Sequence, residues 1–196
     1  MSYVRPEDRH RFGAAHAFVR RILGRYLDRA ASCLEFDHNG AGKPFLLGLA
    51  QFHRVSFNLT HSSHYGLLAV TCGREIGVDI EVERQLENLH GLARQIMSFA
   101  EWKNFQLMPL AAAHDSFFSL WTQKEALLKA VGTGLLTDLR EINLGLEKNE
   151  AITVSLGGAM WTIRSVSAYQ ATKAAIAVEG RACPRICFFS EKSHIL

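Results

Sequence analysis

The sequence predicts an α+β protein built from two similar halves, and three observations predict it. Two stretches, 8–27 and 116–136, carry apolar residues at helical spacing. Between and after them lie short runs that alternate apolar and polar residues, the pattern of half-buried strands. Two segments of equal length, NLTHSSHYGLLAV (58–70) and VSAYQATKAAIAV (166–178), each join a polar turn to an aliphatic strand ending in Ala-Val. This echo divides the chain into an N-terminal half, residues 1–78, and a C-terminal half, residues 79–196. Each half is expected to be a small antiparallel sheet with packed helices.

Composition narrows the class. The chain has 196 residues, 48% of them hydrophobic and 21% charged, which suits a folded domain of sizeable core rather than a disordered one. No apolar run approaches the roughly 18 residues of a membrane span, and the start, MSYVRPEDRHRFG, lacks a secretory apolar core. Cys33, Cys72, Cys183 and Cys187 are too scattered for a disulfide framework, so a reducing, cytoplasmic setting without a membrane partner is expected. The pairs Cys183/Cys187 and His61/His64 lack the second pair a zinc site needs. A net charge of +3 mildly favours acidic partners. No basic cluster interleaved with aromatics points to nucleic acid.

Taken in order, 8–27 is a helix with Phe12, Ala15, Val19, Leu23 and Leu27 on one stripe. Its other side is basic: Arg9, Arg11, Arg20, Arg21 and Arg25. That face is either solvated or a place where a guanidinium fork meets phosphate oxygens. The turn NGAGKP (39–44) offers Lys43 and glycines that let backbone N–H groups approach an anion, but it is not a P-loop. Residues 55–70 read as two strands around a loop, 60–64, crowded with hydroxyls and imidazoles.

The run EIGVDIEVE (75–83) alternates Asp79, Glu81 and Glu83 with Val78, Ile80 and Val82, so the acids share one face. Carboxylates brought together repel unless a cation or donors stand between them. The segment is therefore either a solvated edge strand or a site for a hard cation such as Mg²⁺. Residues 90–110 crowd large apolar side chains together. Further strands are expected at 141–146, 152–156, 161–167 and 174–179, with a short one at 186–189.

On the helix at 116–136, Phe117, Leu120, Trp121, Leu127, Leu128 and Val131 form the apolar stripe. Phe118, Thr122, Glu125 and Lys129 fall within an arc of roughly 60° on another side. Glu125 and Lys129 are either a solvated pair one turn apart or charges aimed at a ligand. Lys124 projects into the stripe, where it either snorkels outward or is held by a partner. Gly132 and Gly134 end the helix.

Four motifs now stand in one order: GKP (42–44), FNLTHS (57–62), GVDIE (77–81) and FFSLWTQKEALLKAVGTGL (117–135). In this the chain resembles the Sfp-type phosphopantetheinyl transferases. The resemblance implies two pseudo-symmetric α+β halves with coenzyme A at their interface. It implies an enzyme that moves the 4′-phosphopantetheine of coenzyme A onto a serine of an apo acyl or peptidyl carrier protein, releasing adenosine 3′,5′-bisphosphate. Carried over, Asp79, Glu81 and Glu125 are the ligands of Mg²⁺, with Mn²⁺ an alternative. Lys129 binds phosphate, and Lys43, Pro44, Thr60, His61, Arg20 and His16 match cofactor-binding positions. Thr60 replaces the family's serine, and His16 stands where similar proteins have arginine, so coenzyme A binding is expected to depend on pH.

The catalytic set expected from the resemblance is Glu125, Lys129 and Asp79. Displacement at a pyrophosphate phosphorus needs charge neutralisation, positioning and a base, and Glu125, directly or through a water on the metal, is the first choice of base. The carrier is expected to dock on 96–108, unless those apolar side chains are core. A monomer is expected. The alternatives are a catalytically silent coenzyme A- or carrier-binding protein and a Mg²⁺-dependent phosphodiesterase.

Overall fold

The structure, a computed structural model, describes residues 6–48, 55–134, 137–147 and 149–190, with the backbone alone for 6–12 and 14. The side chains of Arg9, Arg11 and Phe12, and residues 135, 136 and 191–196, lie outside the described residues. The element order is α1 (Pro6–Leu27), β1 (Phe36–His38), β2 (Pro44–Leu46), β3 (Val55–Ser62), β4 (Tyr65–Cys72), β5 (Ile76–Val82), α2 (Leu89–Ile96), α3 (Phe99–Phe105), α4 (Leu110–Val131), β6 (Ile152–Leu156), β7 (Ala159–Val166) and β8 (Thr172–Glu179). The strands form small antiparallel sheets, as expected for an α+β chain: β1–β2, β3–β4, and a four-stranded sheet ordered β5-β8-β7-β6. No described helix is long and apolar enough to cross a membrane.

In the N-terminal part, Val19 and Leu23 of α1 bury against Leu34, Leu46, Val55 and Phe57. Arg20 fastens the returning chain. Its Nη1 donates to the carbonyls of Ala31 (3.1 Å) and Leu34 (2.7 Å), and its guanidinium sits 4.8 Å from the centroid of the Phe36 ring.

The larger core lies between α4, α2, α3 and the four-stranded sheet. α4 starts at Leu110, earlier than the apolar stripe indicates, because Ala111, Ala112 and Ala113 favour helix without marking a face. It stops at Gly132, whose φ of 74° is left-handed. The helix packs directly onto β5. A Cβ on Gly77 would overlap the carbonyl oxygen of Ala126 and the amide nitrogen of Ala130, so two alanines and a glycine let the backbones touch. The strand is accordingly buried on both faces through Ile80, with Val78 and Asp79 inside. It is not a solvated edge.

Three other expectations change. Residues 141–146 form no strand. A 3₁₀ turn, Leu139–Glu141, leads into irregular chain whose amides at Leu144 and Gly145 are satisfied by the Glu101 carboxylate rather than by a ladder. Residues 186–189 are irregular, with Phe188 and Phe189 exposed. The 96–108 stretch divides: Ile96, Met97 and Phe105 are core, whereas Phe99 and Leu107 are exposed.

Gly77→Ala should destabilise the fold by about 2–4 kcal/mol, since backbone cannot move aside as a side chain can. Urea unfolding of the variant reads this, and wild-type stability would contradict the close contact.

Candidate active site between the acidic strand and the long helix

The β5 strand brings Asp79 and Glu81 to the side faced by β3, and the Gly77 contact brings the last turns of α4 over them. The β3 strand shares no backbone ladder with β5. Its polar side chains reach across instead. Asn58 Oδ1 accepts from Val78 N (2.9 Å), and Ser62 Oγ accepts from Val82 N (3.2 Å) while donating to Glu81 Oε2 (3.0 Å). Thr60 Oγ1 donates to Asp79 Oδ1 (3.0 Å). Alternation puts Asn58, Thr60 and Ser62 on one face of FNLTHS, at the same period as Asp79 and Glu81. Thr60–Ser62 thus belong to a strand rather than the expected loop, and the turn is made by Ser63, at φ 53°, and His64.

Lys129 completes the cradle. Its Nζ lies 2.5 Å from Asp79 Oδ1 and 3.1 Å from Thr60 Oγ1. Asp79 is 4% exposed, yet its Oδ2 is buried without a hydrogen-bond partner. An unsatisfied buried carboxylate oxygen is costly, so it marks a place for a ligand. Glu125, one turn before Lys129, is half-buried. Burial pushes its carboxyl above the usual range, the charges of Asp79 and Glu81 push the same way, and the Lys129 ammonium opposes them. Among the described residues, no three His, Cys, Asp or Glu side chains already stand in a metal-holding cluster. The donor chemistry nonetheless suits a hard cation: three carboxylates that feel one another, one with a bare oxygen.

The remaining expected residues are arranged differently. His61 is exposed and, by strand alternation, on the face opposite Thr60 and Ser62. Lys43 is mostly buried, and its Nζ donates to Glu75 Oε2 (2.8 Å), Ile76 O (3.0 Å) and Ala130 O (2.9 Å). With Asn39 Nδ2 donating to Gly132 O (3.0 Å), the NGAGKP turn caps the C-terminus of α4 from outside. Pro44 opens β2 opposite His38. Arg20 is engaged on the Ala31 and Leu34 carbonyls. His16 is exposed, and partial burial together with the charges of Arg20 and His38 lowers its imidazole below the usual range. Any loss of its charge then falls at a lower pH than an ordinary histidine's.

Two elements escaped the sequence. Ser62 was legible in principle, as the third polar residue of an alternating run. Glu101 carried no such sign beyond its place in a capping box, where Ser98 accepts from Glu101 N (3.3 Å) and Glu101 Oε2 accepts from Ser98 N (2.8 Å). Its larger role is to receive Lys124.

The structure thus gathers carboxylates and a lysine at a strand–helix contact of a small α+β fold. Sequence comparisons supply the family. A family model described as the 4′-phosphopantetheinyl transferase superfamily matches residues 75–179. The 4′-phosphopantetheinyl transferase HetI of Nostoc sp. is 35% identical over 175 residues, covering 89% of this chain and 73% of HetI. The 4′-phosphopantetheinyl transferase Sfp of Bacillus subtilis is 26% identical, covering 79% of this chain and 66% of Sfp. The L-aminoadipate-semialdehyde dehydrogenase-phosphopantetheinyl transferase of Xenopus laevis is 26% identical, covering 79% of this chain and 57% of that protein. The chain thus spans about six-tenths to three-quarters of the length of these relatives. It belongs to the 4′-phosphopantetheinyl transferase superfamily.

The raised Glu125 carboxyl sets a sign for stability. The folded protein holds this proton more tightly than the unfolded chain, so ionising it as pH rises past the ordinary carboxylate range weakens folding. In chelator at pH 7, Glu125→Gln should melt at a higher temperature than wild type, and the gain should shrink below pH 4. Calorimetry across pH checks it; a lower melting temperature at pH 7 would contradict the crowding of carboxylates.

Proposed function

We propose that this chain transfers the 4′-phosphopantetheine of coenzyme A to a serine hydroxyl of an apo carrier protein, releasing adenosine 3′,5′-bisphosphate. The observation that carries this is the bare, buried Oδ2 of Asp79 beside the Lys129 ammonium, within a family of 4′-phosphopantetheinyl transferases. Asp79, Glu81 and Glu125 would hold Mg²⁺ or Mn²⁺, which when bound supplies charge neutralisation for the pyrophosphate.

The chain's own groups do the rest. Lys129 donates to a phosphate oxygen, with Thr60 steering its ammonium and offering a hydroxyl of its own. Glu125 is the general base. Its carboxylate stands one helical turn before Lys129, on the same side of α4, and so faces the same ligand. It takes the proton of the serine hydroxyl as that oxygen bonds to the β-phosphorus and the bond from this phosphorus to the bridging oxygen breaks. Adenosine 3′,5′-bisphosphate leaves with the bridging oxygen.

Incubation with apo carrier protein, coenzyme A and Mg²⁺, read by intact mass, tests this. A phosphopantetheine gain on the carrier is expected, abolished by excess chelator and reduced at least ~10²-fold in Asp79→Asn. Cleavage of coenzyme A without a gain would indicate a phosphodiesterase, and no change a silent binder; either outcome rejects the proposal.

The carrier surface we infer covers Phe99, Leu107 and Leu110, which are 84%, 81% and 72% exposed on α3, just after it and at the start of α4. Exposed Lys103 on α3 and exposed Arg94 on α2 suit an acidic partner. Phe99→Ala with Leu107→Ala should raise the KM for the carrier severalfold at unchanged melting temperature and coenzyme A KM. An unchanged carrier KM would move the docking surface elsewhere.

A further inference from the structure

Directly beside Glu125 in the sequence, Lys124 turns about 100° away from it, into the core. Its side chain is fully buried, and its ammonium has three acceptors: Glu101 Oε2 on α3 (2.6 Å), the carbonyl of Ile96 at the end of α2 (2.7 Å), and the carbonyl of Leu139 after α4 (3.0 Å). The Glu101 carboxylate, also fully buried, takes four donors. These are Ser98 N and Lys124 Nζ on one oxygen, and Leu144 N and Gly145 N on the other. Every proton of the ammonium and both carboxylate oxygens are therefore directed, and they tie α4 to four separate pieces of chain.

We propose that the buried Lys124–Glu101 pair is a positioning unit for the site, setting the rotation of α4 so that Glu125 and Lys129 meet the carboxylates of β5. The reasoning is geometric. Successive helical residues are about 100° apart, so pinning the direction of Lys124 sets that of Glu125, and Lys129 follows one turn on. Apolar contacts are non-directional, whereas hydrogen bonds fix the direction of the groups that make them. A rotation of roughly 20° moves a carboxylate about 6 Å from the axis by about 2 Å. Misplacement of that size costs a catalytic group on the order of 10²-fold in rate.

A second argument concerns why charge is used here at all. Replacing a buried ion pair by apolar groups of similar volume is often neutral or stabilising. Stability does not demand this pair, whereas its directional hydrogen bonds deliver a fixed rotation. The described hydrogen bonds of Lys124 and Glu101 go to the end of α2, to α3 and to the chain after α4. None of these goes to Asp79, Glu81, Glu125 or Lys129, so both act as positioning residues, not catalytic ones. The inference rests on the transfer reaction proposed above.

The test compares Lys124→Met, Glu101→Gln and the double variant K124M/E101Q with Leu23→Ala, which damages the separate core under α1. The single variants leave one buried group unpaired and should lose stability. The double variant should recover most of the melting temperature while its kcat stays at least 10-fold below wild type, with the carrier KM unchanged. Its Mn²⁺ affinity, measured by titration calorimetry without substrates, should fall severalfold. Leu23→Ala should melt early yet keep a normal kcat in the folded fraction. A double variant with wild-type kcat and Mn²⁺ affinity overturns the positioning role while leaving the transferase reading intact. If the double variant does not fold, Lys124→Met below its melting temperature decides by the same two readings. A wild-type protein that neither transfers nor binds Mn²⁺ overturns both.

Discussion

The site depends on one close contact, the backbone of α4 lying on the backbone of β5 at Gly77. Ala126 and Ala130 on the helix and Gly77 on the strand remove the side chains that would hold the two apart. With those spacers gone, a lysine on the helix reaches an aspartate on the strand at 2.5 Å, through a side chain only partly extended into solvent. The capping turn reinforces the same arrangement from the other end. Lys43 bonds a carbonyl of the last helical turn and a carbonyl of β5 at once, so the helix terminus and the strand start are held to a common point. The GKP lysine therefore works first as a strut of this contact.

Against that frame the acidic cluster is a strained element by design of its charges. Burial and the charges of Asp79 and Glu81 push the Glu125 carboxyl up, while the Lys129 ammonium opposes them. Lys129 is bonded to one oxygen of Asp79 and leaves the other bare. A buried carboxylate oxygen left bare in this way costs folding free energy. The hydroxyls of Thr60 and Ser62 moderate the strain, since each donates to a carboxylate on β5.

Much of this was legible in the sequence because its determinants are local and periodic. Alternation in GVDIE placed the acids on one face, and the spacing from Glu125 to Lys129 placed them on one side of a helix. The two ordering glycines at 132 and 134 marked the helix end. What was not legible depends on partners distant in sequence. Lys124 could be read as out of place on its stripe, but not as the partner of Glu101, because nothing local joins residues 23 apart. Lys43 could be read as a basic residue in a glycine turn, with its charge free for a phosphate. Its actual acceptors on residues 75, 76 and 130 exist only in the folded chain. His61 was read by its chemistry beside Thr60, although the alternation that correctly placed the acids also turns it away.

The echoing segments 58–70 and 166–178 each fall on a hairpin of the structure, β3–β4 and β7–β8. The sixth position is Ser63 in one segment and Ala171 in the other, and both adopt left-handed φ, 53° and 54°, although neither is glycine. The connections differ in length, two residues (63–64) between β3 and β4 and five (167–171) between β7 and β8, so the coincidence of φ is not a shared hairpin geometry. The two hairpins then serve β5 in different ways. The second supplies β8, which pairs with β5 through a backbone ladder along its whole length. The first supplies β3, which reaches β5 with the side chains of Asn58, Thr60 and Ser62, where the echo has Val166, Ala168 and Gln170. A ladder would have closed β5 against its neighbour. Side chains standing in for the ladder keep the hydroxyls of Thr60 and Ser62 beside the carboxylates of Asp79 and Glu81.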